Sequence, residues 1–330
     1  MGSANLRDLR SRKLFSVFAW AVLAYNLPVI LWGAYVRASF SGDGCGANWP
    51  TCNGQFVLHK MTVPMAIEYT HRLMTSVDVF AVLAMLVWAW LAFGKGAPVR
   101  RYAAWSFVFL TIEALLGAGL VLFRYVAKDQ SAGRVWYLSA HLVNTLLLLG
   151  TLAATAWLAQ SSTEEFRLLR AKRLNLGGLA VVIFVSVTGT VAALGDTLYP
   201  ASSLSGGIAQ DLSSSTSLLL RLRVLHPAIA IAGALYLLWM SASVIRNAQR
   251  DDRARPRSVR AAGGLIAITV MQAGAGMLNL LLLAPLPMQL IHLLMADLVW
   301  IAVVVLVLET ASAGTVSTWS ASTKAASVHA

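Results

Sequence analysis

Apolar runs of roughly 20 residues recur along this chain, separated by shorter stretches that carry its charges. They fall at about residues 14–37, 65–93, 102–126, 136–160, 175–195, 219–245, 261–283 and 288–311. Each is long enough to cross a hydrocarbon core of about 30 Å as a helix. A soluble protein can hide one or two such segments, but not eight. The pattern therefore predicts an all-α polytopic membrane protein with eight transmembrane helices. The first run is too long for a cleavable signal peptide, and Tyr35, Val36 and Arg37 stand where small cleavage-site residues would be needed.

Composition agrees. Of 330 residues, 58% are hydrophobic and 12% charged, against about 25% charged in soluble domains. The net charge of +12 would suit nucleic acid if it were gathered on one surface. Instead, 18 of the 26 Lys and Arg lie before span 1, at Lys95–Arg101, Arg167–Arg173 and Arg246–Arg260, and at Lys324. That is the positive-inside distribution, and it predicts a multi-pass protein of the cell's inner (cytoplasmic) membrane with both termini cytoplasmic. Such a basic face needs only anionic lipid as its partner, so no nucleic acid is expected.

Self-comparison divides the chain into two copies of a four-helix unit. Gly33-Ala-Tyr-Val-Arg37 and Gly42-Asp43 recur as Gly189-Thr-Val-Ala-Ala193 and Gly195-Asp196, and Glu113 with Gly117-Ala-Gly119 recurs as Gln272 with Gly274-Ala-Gly276. An even number of spans per unit gives both copies one orientation, so the predicted fold is two parallel four-helix repeats. The small residues suit close helix packing. The expected layout is a cytoplasmic N-terminus (1–13), an N-terminal half (14–160), a cytoplasmic linker (161–174), a C-terminal half (175–311) and a disordered Ala/Ser/Thr-rich tail (312–330).

Four of the six histidines, His71, His141, His226 and His292, fall one to each even-numbered span, shortly after it begins and at offsets of 155 and 151 residues. One such histidine could be a polar group satisfied by a neighbouring helix. Four at a common depth, obeying an internal repeat, point to a built site. No carboxylate or thiol cluster completes a zinc site around either pair, apart from Glu68. Two imidazoles on facing helices can instead hold heme iron from both sides, one heme per half. Arg37, Arg72, Arg124, Arg221 and Arg223, near the outer ends of spans, are candidates to pair with the propionates, with interfacial snorkelling as the alternative. The halves differ at Glu68-Tyr-Thr-His71, which becomes Arg223-Val-Leu-His226. Glu68 shares a helix face with His71. It is either an acid/base or charge-stabilising group, or the ion-pair partner of Arg37 or Arg72. Cys45 and Cys52 share one outer loop and are expected to form a disulfide, either as a staple or as a redox-active pair.

These residues resemble the heme A synthase family. Gly33-Ala-Tyr-Val-Arg37, Gly42-Asp-Gly-Cys45, Trp49-Pro-Thr-Cys52 and Glu68-Tyr-Thr-His-Arg72 carry the resemblance, with Leu225-His226-Pro227 and Ile291-His292 in the second half. It implies oxidation of a porphyrin methyl group of heme O to a formyl group, giving heme A for cytochrome oxidase. His71 and His141 would hold the substrate with Glu68 assisting, and His226 and His292 would hold a heme b that passes electrons from a donor the residues do not specify. Heme O synthase and oxidase assembly factors are the implied protein partners. The sequence departs from members with a second cysteine pair, because the loop from Asp196 to Ser217 has none. The competing readings are a dihaem b-type cytochrome that only carries electrons, and a heme transporter or chaperone.

Overall fold

The computed structural model describes residues 3–160, 173–213, 218–250 and 256–326. Among the described residues there are nine helices and no named strand. They are α1 (Ser3–Ala38), α2 (Val63–Ala92), α3 (Pro98–Leu122), α4 (Ala132–Gln160), α5 (Arg173–Leu198), α6 (Leu204–Leu212), α7 (Leu218–Gln249), α8 (Pro256–Leu281) and α9 (Leu286–Ala326). All but α6 are long and apolar enough to cross a membrane, so the chain is an all-α, multi-pass membrane protein. Local chemistry sets several starts. The Thr62 hydroxyl accepts the Met65 N–H at the head of α2, with proline in its first turn. Pro98 and Pro256 open α3 and α8.

The sequence reading did not foresee α6, which lies in the Ser- and Gly-rich connection after α5. Ser203 caps it by accepting the Gly206 N–H at 3.0 Å. α9 extends as helix to Ala326, into the stretch expected as a tail, and residues 327–330 lie outside the described residues. Residues 161–172 of the expected linker lie outside the described residues.

The two halves share one packing scheme. In the first, α1 lies against α2 and α4, α2 against α3, and α3 against α4. In the second, α5 lies against α7 and α9, α7 against α8, and α8 against α9. The halves meet where α4 packs on α9, α4 on α5, and α1 on α9. Under the repeat α4 corresponds to α9 and α1 to α5, so the last two contacts are the same contact seen from either side. That reciprocity is the mark of a two-fold relation. The helix ends repeat as well. After α3, Tyr125 N–H donates to Leu120 O at 2.8 Å and Arg124 N–H to Val121 O at 3.1 Å. After α8, Ala284 N–H donates to Asn279 O at 2.7 Å and Leu283 N–H to Leu280 O at 3.1 Å. Arg124 and Leu283 both take a positive φ to close this cap.

The seam between the halves is apolar and dense. α4 is its most enclosed element, with two-thirds of its spanning stretch buried. Trp300 of α9 donates its indole N–H to Leu146 O of α4 at 2.6 Å and lies against Gly150. Towards the other end, Trp157 donates to Glu309 at 2.9 Å and Asn175 to Thr310 at 2.7 Å. The outward faces carry exposed Phe80, Leu91, Trp136 and Trp239, apolar side chains suited to lipid.

Candidate functional site

Each histidine follows the start of its helix by six to nine residues, so all four lie within about 9–14 Å of helix starts at one end of the bundle. The same end carries the Cys45–Cys52 loop. His141 lies within electrostatic range of His71, and His292 within that of His226. The structure therefore brings together the two pairs expected from the sequence, one within each half. His59 is exposed in the loop before α2 and belongs to neither pair.

Glycines explain how the rings fit. A Cβ built on Gly33 of α1 would stand 3.0 Å from His71 Cε1, one on Gly189 of α5 3.0 Å from His226 Cε1, and one on Gly276 of α8 2.8 Å from His292 Cε1. A methyl group at any of these positions would push on the ring. For His141 the facing glycine is Gly117, with a looser approach of 3.9 Å. Gly119 instead makes room for Tyr137. Gly33, Gly189 and Gly276 thus pack against imidazoles, whereas a Cβ on Gly274 would meet nothing within 4 Å.

The ring nitrogens are unevenly partnered. His226 Nδ1 lies 3.0 Å from the Thr188 hydroxyl. His71 Nδ1 and His292 Nδ1 are buried without a hydrogen bond. His141 Nδ1 lies 3.3 Å from Glu113 Oε1, at charge-pairing distance but off hydrogen-bond alignment. A buried polar nitrogen without a partner costs about 1–3 kcal/mol. Among the described residues no cluster of three or more His, Cys, Asp or Glu could hold a metal ion by itself. Paired imidazoles, two of them with an unpartnered buried ring nitrogen, are donors of the kind that would hold heme iron.

Glu68 is buried at 3% exposure, and the protein holds both of its oxygens. Oε1 pairs with Arg72 at 2.5 Å, and Oε2 accepts the Cys45 N–H at 2.8 Å. Arg72 also donates to Asn48 O at 2.8 Å and Thr51 O at 2.6 Å. Of the two ion-pair partners considered from the sequence, Arg72 is the one used. Cys45 and Cys52 form the expected disulfide, with both residues fully buried. The helix turn carrying His71 is therefore tied through Glu68 and Arg72 to the loop that the disulfide closes.

The other arginines also meet protein partners. Arg223, at the position corresponding to Glu68, pairs with Asp211 at 2.5 Å and Asp196 at 3.2 Å, and donates to Tyr199 O at 3.1 Å. It thereby pins α6 to α5 and α7. Arg37 crosses between halves, donating to Ala193 O and Thr197 Oγ1 of α5, each at 2.9 Å, and to Gln289 Oε1 at 3.5 Å. Arg124 is exposed at the end of α3. Arg221 lies in the first turn of α7, and its side chain lies outside the described residues.

The sequence reading assigned no role to Glu113, Asn144, Thr145, Thr188 or Arg134. Glu113 accepts Asn144 Nδ2–H at 2.5 Å and the Thr145 hydroxyl. Arg134, 1% exposed, donates to Ala127 O at 2.7 Å and Asp129 O at 2.8 Å. The available signals were a charged residue inside an apolar run, at Glu113, and the Thr188-Gly189 step preceding a repeated motif.

Relatives add independent evidence. In two strains of Thermus thermophilus, proteins named protoheme IX farnesyltransferase are 41% identical over 292 residues, covering 88% of this chain and 47% of their own length. A protein named heme A synthase from Geobacillus kaustophilus is 41% identical over 105 residues, 32% of this chain and 33% of its own. One of the same name from Bacillus licheniformis is 32% identical over 163 residues, 49% of this chain and 52% of its own. The chain thus spans about half the length, or less, of these relatives. Residues 16–304 match the family described as cytochrome oxidase assembly protein (COX15-CtaA). That match takes in all four histidines and most of all eight spans, and the chain belongs to this family.

Proposed function

We propose that this chain is a heme A synthase, oxidising a porphyrin methyl group of heme O to the formyl group of heme A for cytochrome oxidase. The observation that carries the reading is the pairing of four imidazoles by halves at one end of the bundle, with a buried carboxylate, Glu68, one helical turn from a histidine in the first half only. The relatives named heme A synthase support the same reading.

In this reading His71 and His141 hold the substrate heme O. His226 and His292 hold a heme b, which supplies electron transfer when bound. Glu68 keeps a negative charge beside the substrate, fixed by the Arg72 guanidinium and the Cys45 amide, where it can stabilise charge or take a proton. Thr188 orients the His226 ring, leaving the opposite nitrogen for iron. The glycines opposite His71, His226 and His292 keep those rings in narrow slots. Arg37, Arg72, Arg221 and Arg223 remain the candidates for the propionates; Arg72 and Arg223 would have to share their donors with the protein oxygens they already meet.

The enzyme that farnesylates heme is the class of reaction that must supply this substrate, which makes heme O synthase the expected partner. Oxidase assembly factors stand on the product side. The excess of Lys and Arg at the end opposite the histidines supports an inner-membrane location with both termini cytoplasmic. The test is pigment extraction from protein purified out of cells that make heme O. The expected extract contains heme b together with heme O or heme A. Heme b alone would favour a dihaem electron carrier and overturn the proposal.

A further inference from the structure

Glu113 is, among the described residues, the carboxylate placed against one of the four imidazoles. It stands on α3, four residues before Gly117, with Oε1 3.3 Å from His141 Nδ1. Its own position is set from α4, where Asn144 donates to it at 2.5 Å and Thr145 donates its hydroxyl proton. Asn144 also donates to Phe109 O at 2.8 Å, so the group that fixes the carboxylate is itself tied back to α3. Asn144 and Thr145 are both buried, at 6% exposure.

The other histidines are treated differently. His226 Nδ1 meets a neutral hydroxyl at 3.0 Å, and the Nδ1 atoms of His71 and His292 meet no hydrogen-bond partner. At the place of Glu113 the second half has Gln272, whose buried Oε1 has no partner. The glycine contacts run the opposite way. The rings of His71, His226 and His292 are confined by glycines whose Cβ would approach within 2.8–3.0 Å, whereas the approach to His141 is 3.9 Å. His141 is thus the ring least confined by a facing glycine and the one that faces an anion. Histidine χ2 is a soft torsion, so a small rotation aligns Nδ1–H with Oε1.

We propose that Glu113 is a positioning residue for the substrate site. It fixes His141 in the tautomer with Nδ1–H toward the carboxylate and Nε2 toward iron, and makes His141 the most strongly donating of the four ligands. A carboxylate that accepts the far N–H of a metal-bound imidazole orients the ring and raises its basicity. Hydrogen bonding of this kind is also a lever on the potential of the iron. A more basic ligand favours the oxidised metal, so the first site has a lower potential than it would with a neutral residue at 113. This rests on the reading of His71 and His141 as the substrate ligands.

The test is a potentiometric titration of full-length protein purified from cells that make heme O. Two waves are expected, and the one absent from H71A belongs to the first half. E113Q, which keeps the volume and loses the charge, should retain that heme and shift its wave to more positive potential while the other wave stays in place. An unmoved first-half wave with heme retained overturns the role of Glu113 and leaves the site reading standing. If H71A removes neither wave, the site reading falls and the inference falls with it. A second measurement on the unaltered protein guards against an E113Q that fails to fold. The ferric low-spin electron paramagnetic resonance signal lost in H71A should show the stronger axial ligand field of the two. Indistinguishable signals from the two sites overturn the proposal.

Discussion

Both halves of the bundle set a pair of histidines at one level between corresponding helices, yet they surround those pairs with opposite chemistry. In the first half, Glu68 lies on the face of His71, Glu113 lies 3.3 Å from His141, and Arg72 is shared between Glu68 and loop carbonyls. In the second, the place of Glu68 is taken by Arg223, bound to Asp196 and Asp211, and the place of Glu113 by Gln272. One half sets Glu68 and Glu113 near its imidazoles; the other has neutral Gln272 at the place of Glu113 and, at the place of Glu68, an arginine that ties α6 to its neighbours. Buried charge is expensive in a membrane, so acids at Glu68 and Glu113 that become Arg223 and Gln272 at the corresponding positions are a strong sign that the copies do different work. In the proposed function, duplication supplies the frame for two hemes and substitution within it separates a reactive site from a carrying site.

The largest effect expected in breaking this comparison comes from the ligands. H226A or H292A should abolish the b-type heme spectrum while leaving first-half pigment in place, read as heme content of the purified protein. A b-type spectrum that survives both and vanishes in H71A would show that the halves are assigned in reverse. Next comes E68Q, which should leave both hemes bound and reduce heme A formation by about 10²–10⁴-fold, the usual scale for losing a general acid or base. Glu68 also holds the Cys45 amide, so thiol labelling should confirm that the disulfide is intact in that variant. An unchanged yield of heme A would remove Glu68 from the chemistry. The smallest effect belongs to the glycines. G276A should weaken heme binding in the second half by about 1–3 kcal/mol, the typical range for overpacking. G274A, whose Cβ would meet nothing within 4 Å, should leave it unchanged. Equal effects of the two would mean that the slot around His292 does not select for glycine.

The resemblance of the halves could be read along the chain at Gly33 and Gly189, but its purpose could not. As repeated small residues they look like ordinary helix contacts. Only the packing of α1 on α2 and of α5 on α7 shows that each faces the imidazole of the next span. Glu113 was visible as an acid inside an apolar run, and its partners His141, Asn144 and Thr145 emerged only when α3 and α4 were laid side by side. Arg37 belongs to the first repeat by sequence and makes its hydrogen bonds in the second.

What the amino-acid sequence determined by itself is the set of properties that act locally or by count. These are eight spans, because length and apolarity decide membrane insertion segment by segment; the even-numbered repeat; the common level of the histidines; and the cysteine pair eight residues from end to end of its loop. What only the tertiary structure decided is which groups meet across helices: Arg37 on Ala193 and Thr197 of α5 rather than on Glu68, whose partner Arg72 stands four residues on in the same helix, and Arg223 on Asp196 and Asp211. Partner choice of this kind depends on the rotation of each helix about its axis and on its neighbours. Both are set by the packing of side chains far apart along the chain.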